Sequence, residues 1–342
     1  MTIQSDYTVG LAKETVYGTV VAPTRFFEAE ATLKEKVTTA QGAGHRPGTR
    51  VARASRRAVV QRESSGDITL DATTVGLGYL LNAFFGLVTN TQIAAGAAYQ
   101  QNHTLKKDDF SDSYTIQQGI PRLGGTVDAY TYAGAQCGSL KVEAKAGAIV
   151  TVSTSWIARA LSLAEAYAAP SYPAAMDLFT FVHGSIAVGG GAFTAPTTTA
   201  PASAGALLAE VTEVSLELSN GLDSGGFNLG GGGQRTRKAA YKGGADDAIA
   251  GSFTVEYTGR DFVDAYLDQE DLSLILGFEG PTEIATGIKP LLQFAVPLIR
   301  LDGDLPTGNG GDVITVQHAF TGLQPASGEP IHAVYRSLDA TP

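Results

Sequence analysis

Five histidines, one cysteine and 34 acidic side chains are the groups through which this chain could do chemistry. The histidines are His45, His103, His183, His318 and His332, and no two stand at the spacing that brings imidazoles onto one metal. Cys137 is alone, which excludes an internal disulfide and any zinc site built on cysteines. No G-x-S-x-G nucleophile elbow occurs. The glycines at 230–233 are followed by Gln234-Arg235-Thr236 instead of Gly-Lys-Ser/Thr, so they read as a flexible connector and not a phosphate loop. Asp302, Asp304 and Asp312 share a Gly-rich stretch, but they lack the spacing and closing Glu of a calcium loop and read as a hairpin loop. No two carboxylates single themselves out as an acid/base pair. The sequence therefore points to no catalytic, cofactor or metal residue.

What remains is charge. The first 62 residues hold 10 basic and 5 acidic groups and the rest hold 14 and 29, so a local +5 stands against −15 within a net charge of −10. Six of the early cations are Arg46, Arg50, Arg53, Arg56, Arg57 and Arg62, with no acid between Glu35 and Glu63. A second basic group, Arg235, Arg237, Lys238 and Lys242, follows the glycines at 230–233. A basic arm on an acidic body suits association between copies, and these ten residues are the candidate inter-subunit contacts. Nucleic-acid binding is the other use of such an arm. No aromatic residue interleaves the arginines from His45 to Arg62, which argues against a base-stacking surface.

The elements that must carry these loops are mostly strands. Residues 139–145 alternate apolar and charged, and Ala146-Gly147 turns them into 148–156, where Val150, Val152, Thr154 and Trp156 share a face. Residues 213–218 and 252–257 read the same way. Two short helices are expected. The first, over 74–85, puts Leu77, Leu80, Leu81 and Phe84 together and stops at Gly86. The second, over 261–267, gathers Phe262, Val263, Tyr266 and Leu267, with Asp261 as its N-cap. Hydrophobic content of 44% supports a packed core, and no window has the ~18 apolar residues of a membrane helix. Residues 1–18 carry no export signal, so synthesis in a cytoplasm is expected.

Four blocks recur in order. Gly66-Asp67-Ile68-Thr69-Leu70-Asp71 matches Gly251-Ser252-Phe253-Thr254-Val255-Glu256, and Glu30-Ala31-Thr32-Leu33 matches Glu213-Val214-Ser215-Leu216. Ile120-Pro121-Arg122-Leu123 resembles Val296-Pro297 with Arg300-Leu301 close behind. Gly147-Ala148-Ile149-Val150-Thr151-Val152 matches 311–316, after which Trp156 falls opposite Phe320 in the alignment. The expectation is two tandem β domains, 1–168 and 169–342, each a sandwich or barrel with a short flanking helix. Each has a long basic insertion, 40–65 in the first and 220–250 in the second, mobile until it meets a neighbour. The tract 189–205, built of Gly, Ala, Thr and Pro, is expected to be a mobile surface loop.

The opening Val9-Gly10-Leu11-Ala12-Lys13-Glu14-Thr15-Val16-Tyr17-Gly18-Thr19-Val20-Val21-Ala22-Pro23-Thr24-Arg25-Phe26 resembles that of the major tail tube proteins of long-tailed, non-contractile bacteriophages. The later order is similar too: a strand, a long polar loop, a Gly66-led strand, a Leu/Phe-rich helix, a Tyr-rich strand (Tyr130-Thr131-Tyr132) and a Lys-Ala-Gly hairpin at 145–147. The resemblance implies a non-catalytic virion protein whose rings stack into a tube through which DNA leaves the capsid. It implies as partners further copies of the chain, the tape-measure protein and DNA transiently in the lumen, and other tail proteins at the tube ends, with no membrane. This chain is about twice the length of the simplest members, so three copies would make a pseudo-six-fold ring, with six copies as the alternative. Other β-rich virion proteins (capsid decoration, tail fibre or terminator), a carbohydrate-acting enzyme and a nucleic-acid-binding protein are the rival classes.

Overall fold

The computed structural model describes residues 6–94, 98–173, 176–205, 207–208, 210–243, 248–303, 305–308, 310–311 and 313–342. The chain is mainly β, as its alternating segments require, with two helices. In order, the elements are β1 (Thr8–Lys13), β2 (Arg25–Phe27), β3 (Ala29–Ala31), β4 (Lys34–Gln41), β5 (Arg57–Asp71), α1 (Gly78–Phe85), β6 (Gly86–Ala94), β7 (Ala98–Leu105), β8 (Tyr114–Pro121), β9 (Val127–Lys145), β10 (Thr151–Ala158) and β11 (Ala160–Ser162). They continue with β12 (Gly184–Gly189), β13 (Phe193–Thr194), β14 (Ser203–Ala204), β15 (Leu207–Leu208), β16 (Val211–Ser219), β17 (Ile249–Glu256), α2 (Asp261–Leu267), β18 (Leu272–Glu279), β19 (Leu291–Gly303), β20 (Thr315–Gly322) and β21 (His332–Ser337).

Nineteen of these strands join one antiparallel sheet, β13 and β14 form a separate ribbon, and among the described residues no closed barrel forms. The sheet folds over a core because its long strands change partners along their length. The first part of β9 pairs with β8 and the later part with β10, while β19 does the same with β18 and β20. A strand that leaves one layer for the next makes the corner of a sandwich.

The order β5–β10–β9–β8–β1 recurs as β17–β20–β19–β18–β12. The registers agree residue by residue: Gly66 lies opposite Trp156 and Gly251 opposite Phe320, while Leu70 faces Val152 and Val255 faces Val316. Upstream, Ala31 lies opposite Ile68 as Val214 lies opposite Phe253. Both glycines are required by close approach. A Cβ on Gly66 would stand 2.5 Å from the Leu33 Cα, and one on Gly251 would stand 2.3 Å from the Ser215 carbonyl oxygen. One matched block does not hold. Ile120-Pro121 closes β8, but Val296-Pro297 lies within β19, whose topological counterpart is β9.

The halves share one hydrophobic cluster and are stitched together. β16 pairs with the later part of β9 from Glu213↔Lys145 to Ser219↔Ser139, and β21 crosses back to pair with β7. Helix α1 begins at Gly78, four residues later than the pattern predicts, because residues 74–77 form the turn leading into it. Gly86, with φ 77°, ends it as expected. Helix α2 spans the expected residues, but Arg260 and not Asp261 is its N-cap, with no side-chain cap bond.

The tract at 189–205 is not a free loop. The β13–β14 ribbon packs on the sheet, where the Ala202 N–H donates to Gln293 Oε1 at 2.8 Å and Gln293 Nε2 donates back to the Ala202 carbonyl at 3.1 Å. Gln100 Nε2 and Arg336 Nη2 hold the Thr197 and Thr199 carbonyls. Small residues order here because polar side chains of the sheet satisfy their backbone, which needs little apolar burial.

Candidate assembly surface

Both ends of the expected first loop are strand. β4 and the start of β5 form a hairpin with Gln41 opposite Arg57 and Lys34 opposite Ser65, broken by a bulge at Thr38/Thr39. Towards its tip neither face is covered: Val37, Val59 and Val60 are 43–51% exposed and Val51 is 81% exposed. Two strands with no buried face are marginal alone. Arg46, Arg50, Arg56 and Arg57 stand exposed and Arg53 is half-buried. Arg56 Nη1 donates to the Ala43 carbonyl at 3.3 Å, Arg57 Nη2 to Thr39 Oγ1 at 3.1 Å and Arg53 Nη2 to Ser55 Oγ at 3.2 Å. Among the described residues, no ion pair involves these five arginines. Arg62 differs, since its Nη1 meets Glu35 Oε2 across the hairpin at 2.9 Å.

The second basic stretch lies on the first half of its own chain. The Arg62 N–H donates to the Gly233 carbonyl at 2.8 Å. Arg235 is 2% exposed; it bonds the Asp223 and Gly225 carbonyls, pairs with Glu63 at 3.3 Å and lies over the Phe227 ring at 5.0 Å. Burial takes Arg235 out of the set that a second copy could reach. Lys238 is half-buried with its Nζ on the Ser111 carbonyl at 3.1 Å, and burial pulls its pKa down. Arg237 pairs with Asp223 at 3.5 Å, while Lys242 is exposed. Gln136 exchanges two hydrogen bonds with the Ala239 backbone, and Asn220 Nδ2 reaches the Phe84 carbonyl at the end of α1. The stretch over 220–243 is thus an ordered strap, and the expected mobility does not hold for it. Residues 244–247 of the expected loop lie outside the described residues.

Pattern reasoning missed the staple of the opening segment. Glu14, 6% exposed, accepts from Thr115 Oγ1 at 2.9 Å, the Gly134 N–H at 2.8 Å and the Gly18 N–H at 2.8 Å. Glu14 directly follows β1, between Lys13 and Thr15, so no local pattern marks it as buried. The catalytic groups stay apart. Cys137 is fully buried with its thiol pKa pushed up by desolvation, and His103 is buried and held neutral, its pKa lowered to about 3 by desolvation. Among the described residues, no cluster of three or more His, Cys, Asp or Glu could hold a metal. Of the aspartates considered for calcium, Asp302 accepts from Thr321 Oγ1 at 2.9 Å, and Asp304 and Asp312 lie outside the described residues.

The arrangement is an apolar core, a protruding basic hairpin and an open sheet edge, which are means of contact. No curated protein matches the chain. A model of the phage tail tube protein family matches residues 4–322, nearly the whole sequence, and the chain belongs to that family.

Proposed function

We propose that this structural tail tube protein assembles with itself into stacked rings, each of three chains presenting six pseudo-equivalent units, and that the tube conducts the phage DNA from the capsid. The division into two tandem units near residue 168 is part of this reading, as is a non-enzymatic role. One observation carries it. Inside the chain, unit joins unit by an antiparallel strand pair, β16 on β9. The same join is left undone at the two outer edges. Among the described residues, β3 and β4 pair only with β5, and β19 (Leu291–Gly303) has no partner matching β16, which pairs with β9 as far as Lys145.

An unpaired strand edge is a template for another chain, and ring closure removes it. Pairing the β19 edge of one copy with the β3–β4 edge of the next repeats the internal join. Three chains then give six such joins. Arg46, Arg50, Arg53, Arg56, Arg57, Arg237 and Lys242 remain for contacts between copies, with Arg62 held by Glu35. The acidic balance of residues 63–342 suits a bore that repels DNA across a Debye length of roughly 8 Å. The tape-measure protein and end-binding tail proteins are the further partners.

Electron microscopy of purified assemblies tests the reading. Three copies per ring with a pseudo-six-fold wall is the expected result. Six copies per ring, or no rings at all, overturns it.

A further inference from the structure

The two halves differ at one matched place. In the first half the Ala72 N–H donates to the Val150 carbonyl at 2.7 Å, and a strand fragment is laid beside that pair. The Phe179 N–H donates to the Ala72 carbonyl at 2.9 Å, and the Val150 N–H donates to the Phe179 carbonyl at 3.0 Å. Isolated bridges join Thr73 to Leu178 and Ile149 to Thr180. Phe179 is fully buried. In the second half the matching bond is present, from the Tyr257 N–H to the Ile314 carbonyl at 2.9 Å, but among the described residues no fragment lies beside it. Tyr257 is 38% and Val313 66% exposed, and a cavity of about 300 Å³ lined by Val255, Tyr257 and Phe262 together with Glu210, Glu256 and Asp261 opens there.

The fragment that fills the first groove is the run-in to β12, the first strand of the second half. Its counterpart is the run-in to β1. Leu11 and Val188 occupy matched places, opposite Ile116 and Leu274 and both fully buried. That count sets Ile3 where Thr180 stands, and so opposite Val313. Within one chain, the run-in of the second half fills the first. The open groove of the second half is the same join continued outward.

Resting on the ring reading, we infer that the groove beside Tyr257 and Ile314 receives the segment preceding β1 of a neighbouring copy of this chain. The segment adds a short strand, its amide and carbonyl completing the ladder at Tyr257 and Ile314; the same count gives Thr2 the place of Phe179, and alternation sets Met1 and Ile3 on the outer face with Val313. The fit is of backbone to an unpaired edge, so it needs no basic residue.

Disulfide trapping tests it. In assembled tubes the Ile3→Cys/Val313→Cys chain gives a ladder of covalent multimers on a non-reducing gel, and each single variant gives none; Cys137 is buried and stays silent. A mixture of the two single variants gives dimers only. Tubes without cross-links, or a bond closed within one chain, overturn the inference and leave the ring reading standing. Hydrogen exchange on the unaltered protein is a second measure that survives a variant failing to assemble. The Ile314 amide slows at least tenfold from monomer to tube, and an unchanged rate overturns the inference. Absence of rings in the unaltered protein is the separate failure of the ring reading.

Discussion

In α1, Leu80, Leu81, Phe84 and Phe85 are sealed at 1% exposure or less; in α2 only Ala265 is buried and Leu267 stands 59% exposed. The helices follow matched strands, so the difference comes from what lies over them. The β6–β7 hairpin and β9 pack against α1, and Asn220 bonds its last turn. Helix α2 runs almost directly into β18, and among the described residues no hairpin covers it. One half is finished by the other, and in the proposed ring the second half is finished by a neighbour. A protein that must polymerise in one direction gains from this asymmetry, because a complete surface and an incomplete one meet only head to tail.

The largest test compares the two grooves. Phe179→Ala removes a fully buried ring and leaves a cavity, so it should cost about 3–5 kcal/mol in urea denaturation of the unassembled chain. Tyr257→Ala, at the matched but open place, should cost under about 1 kcal/mol in the same measurement while impairing polymerisation. Equal losses in the two variants would mean that the second groove is already closed in the monomer.

Titration separates the halves next. Burial holds His103 at about 3 against an ordinary 6.5, with neither ring nitrogen hydrogen-bonded. As pH falls the unfolded chain takes up the proton first. The contribution is therefore complete above pH 6.5 and is lost downward from there, at up to ~1.4 kcal/mol per pH unit towards pH 3. His318, also buried in the second half, is shifted the same way by desolvation. His103→Leu should flatten the acid side of the stability profile clearly and His318→Leu less. A profile unaltered by His103→Leu would show that the ring is already protonated or solvated in the fold.

The basic residues supply a sharper contrast of function. Arg235→Ala strips Glu63 of its partner and two carbonyls of a donor, at a cost of about 1–3 kcal/mol in folding. Replacing Arg53, Arg56 and Arg57 together by Ser touches no ion pair of the described residues and should alter stability by less than about 0.5 kcal/mol. Tube formation, followed by light scattering, should be lost in the triple variant. Normal tubes from it would remove the hairpin tip from the assembly mechanism.

How much of this was legible follows the physics of each segment. The matched strands were readable because a glycine that must meet backbone and a bulky ring opposite it recur together, as Gly66 with Trp156 and Gly251 with Phe320 do. The Ile120-Pro121 match misled because a proline at a strand end and one inside a bent strand look alike in sequence. The hairpin arm reads as loop in sequence because residues 57–62, Arg-Ala-Val-Val-Gln-Arg, bury neither face and so carry no alternation. The strap and the β13–β14 ribbon were invisible for a different reason. Their order comes from distant polar side chains, Gln136 and Gln293, and no local pattern encodes a partner about a hundred residues away. Of the ten basic residues, sequence could find the charge but not tell Arg235, which is buried, from Arg237, which is exposed.

The smallest effect concerns the seam itself. Lys145 and Glu213 face each other across β9 and β16 at 3.6 Å, with side chains 69% and 52% exposed. A pair so open pays side-chain entropy, is screened by salt and contributes at most a few tenths of a kcal/mol. What holds the seam is the ladder between the strands and the inward row of Leu140, Val142, Ala144, Val214, Leu216 and Leu218, all at 4% exposure or less. A double-mutant cycle with Lys145→Ala and Glu213→Ala should give a coupling below about 0.5 kcal/mol, and Leu216→Ala alone should cost about 2–5 kcal/mol. The same proportions should govern a join between copies built on this pattern: salt would tune the rate at which copies meet, and apolar burial would set how firmly they stay. A coupling above about 1 kcal/mol would reverse that order and make the seam an electrostatic contact.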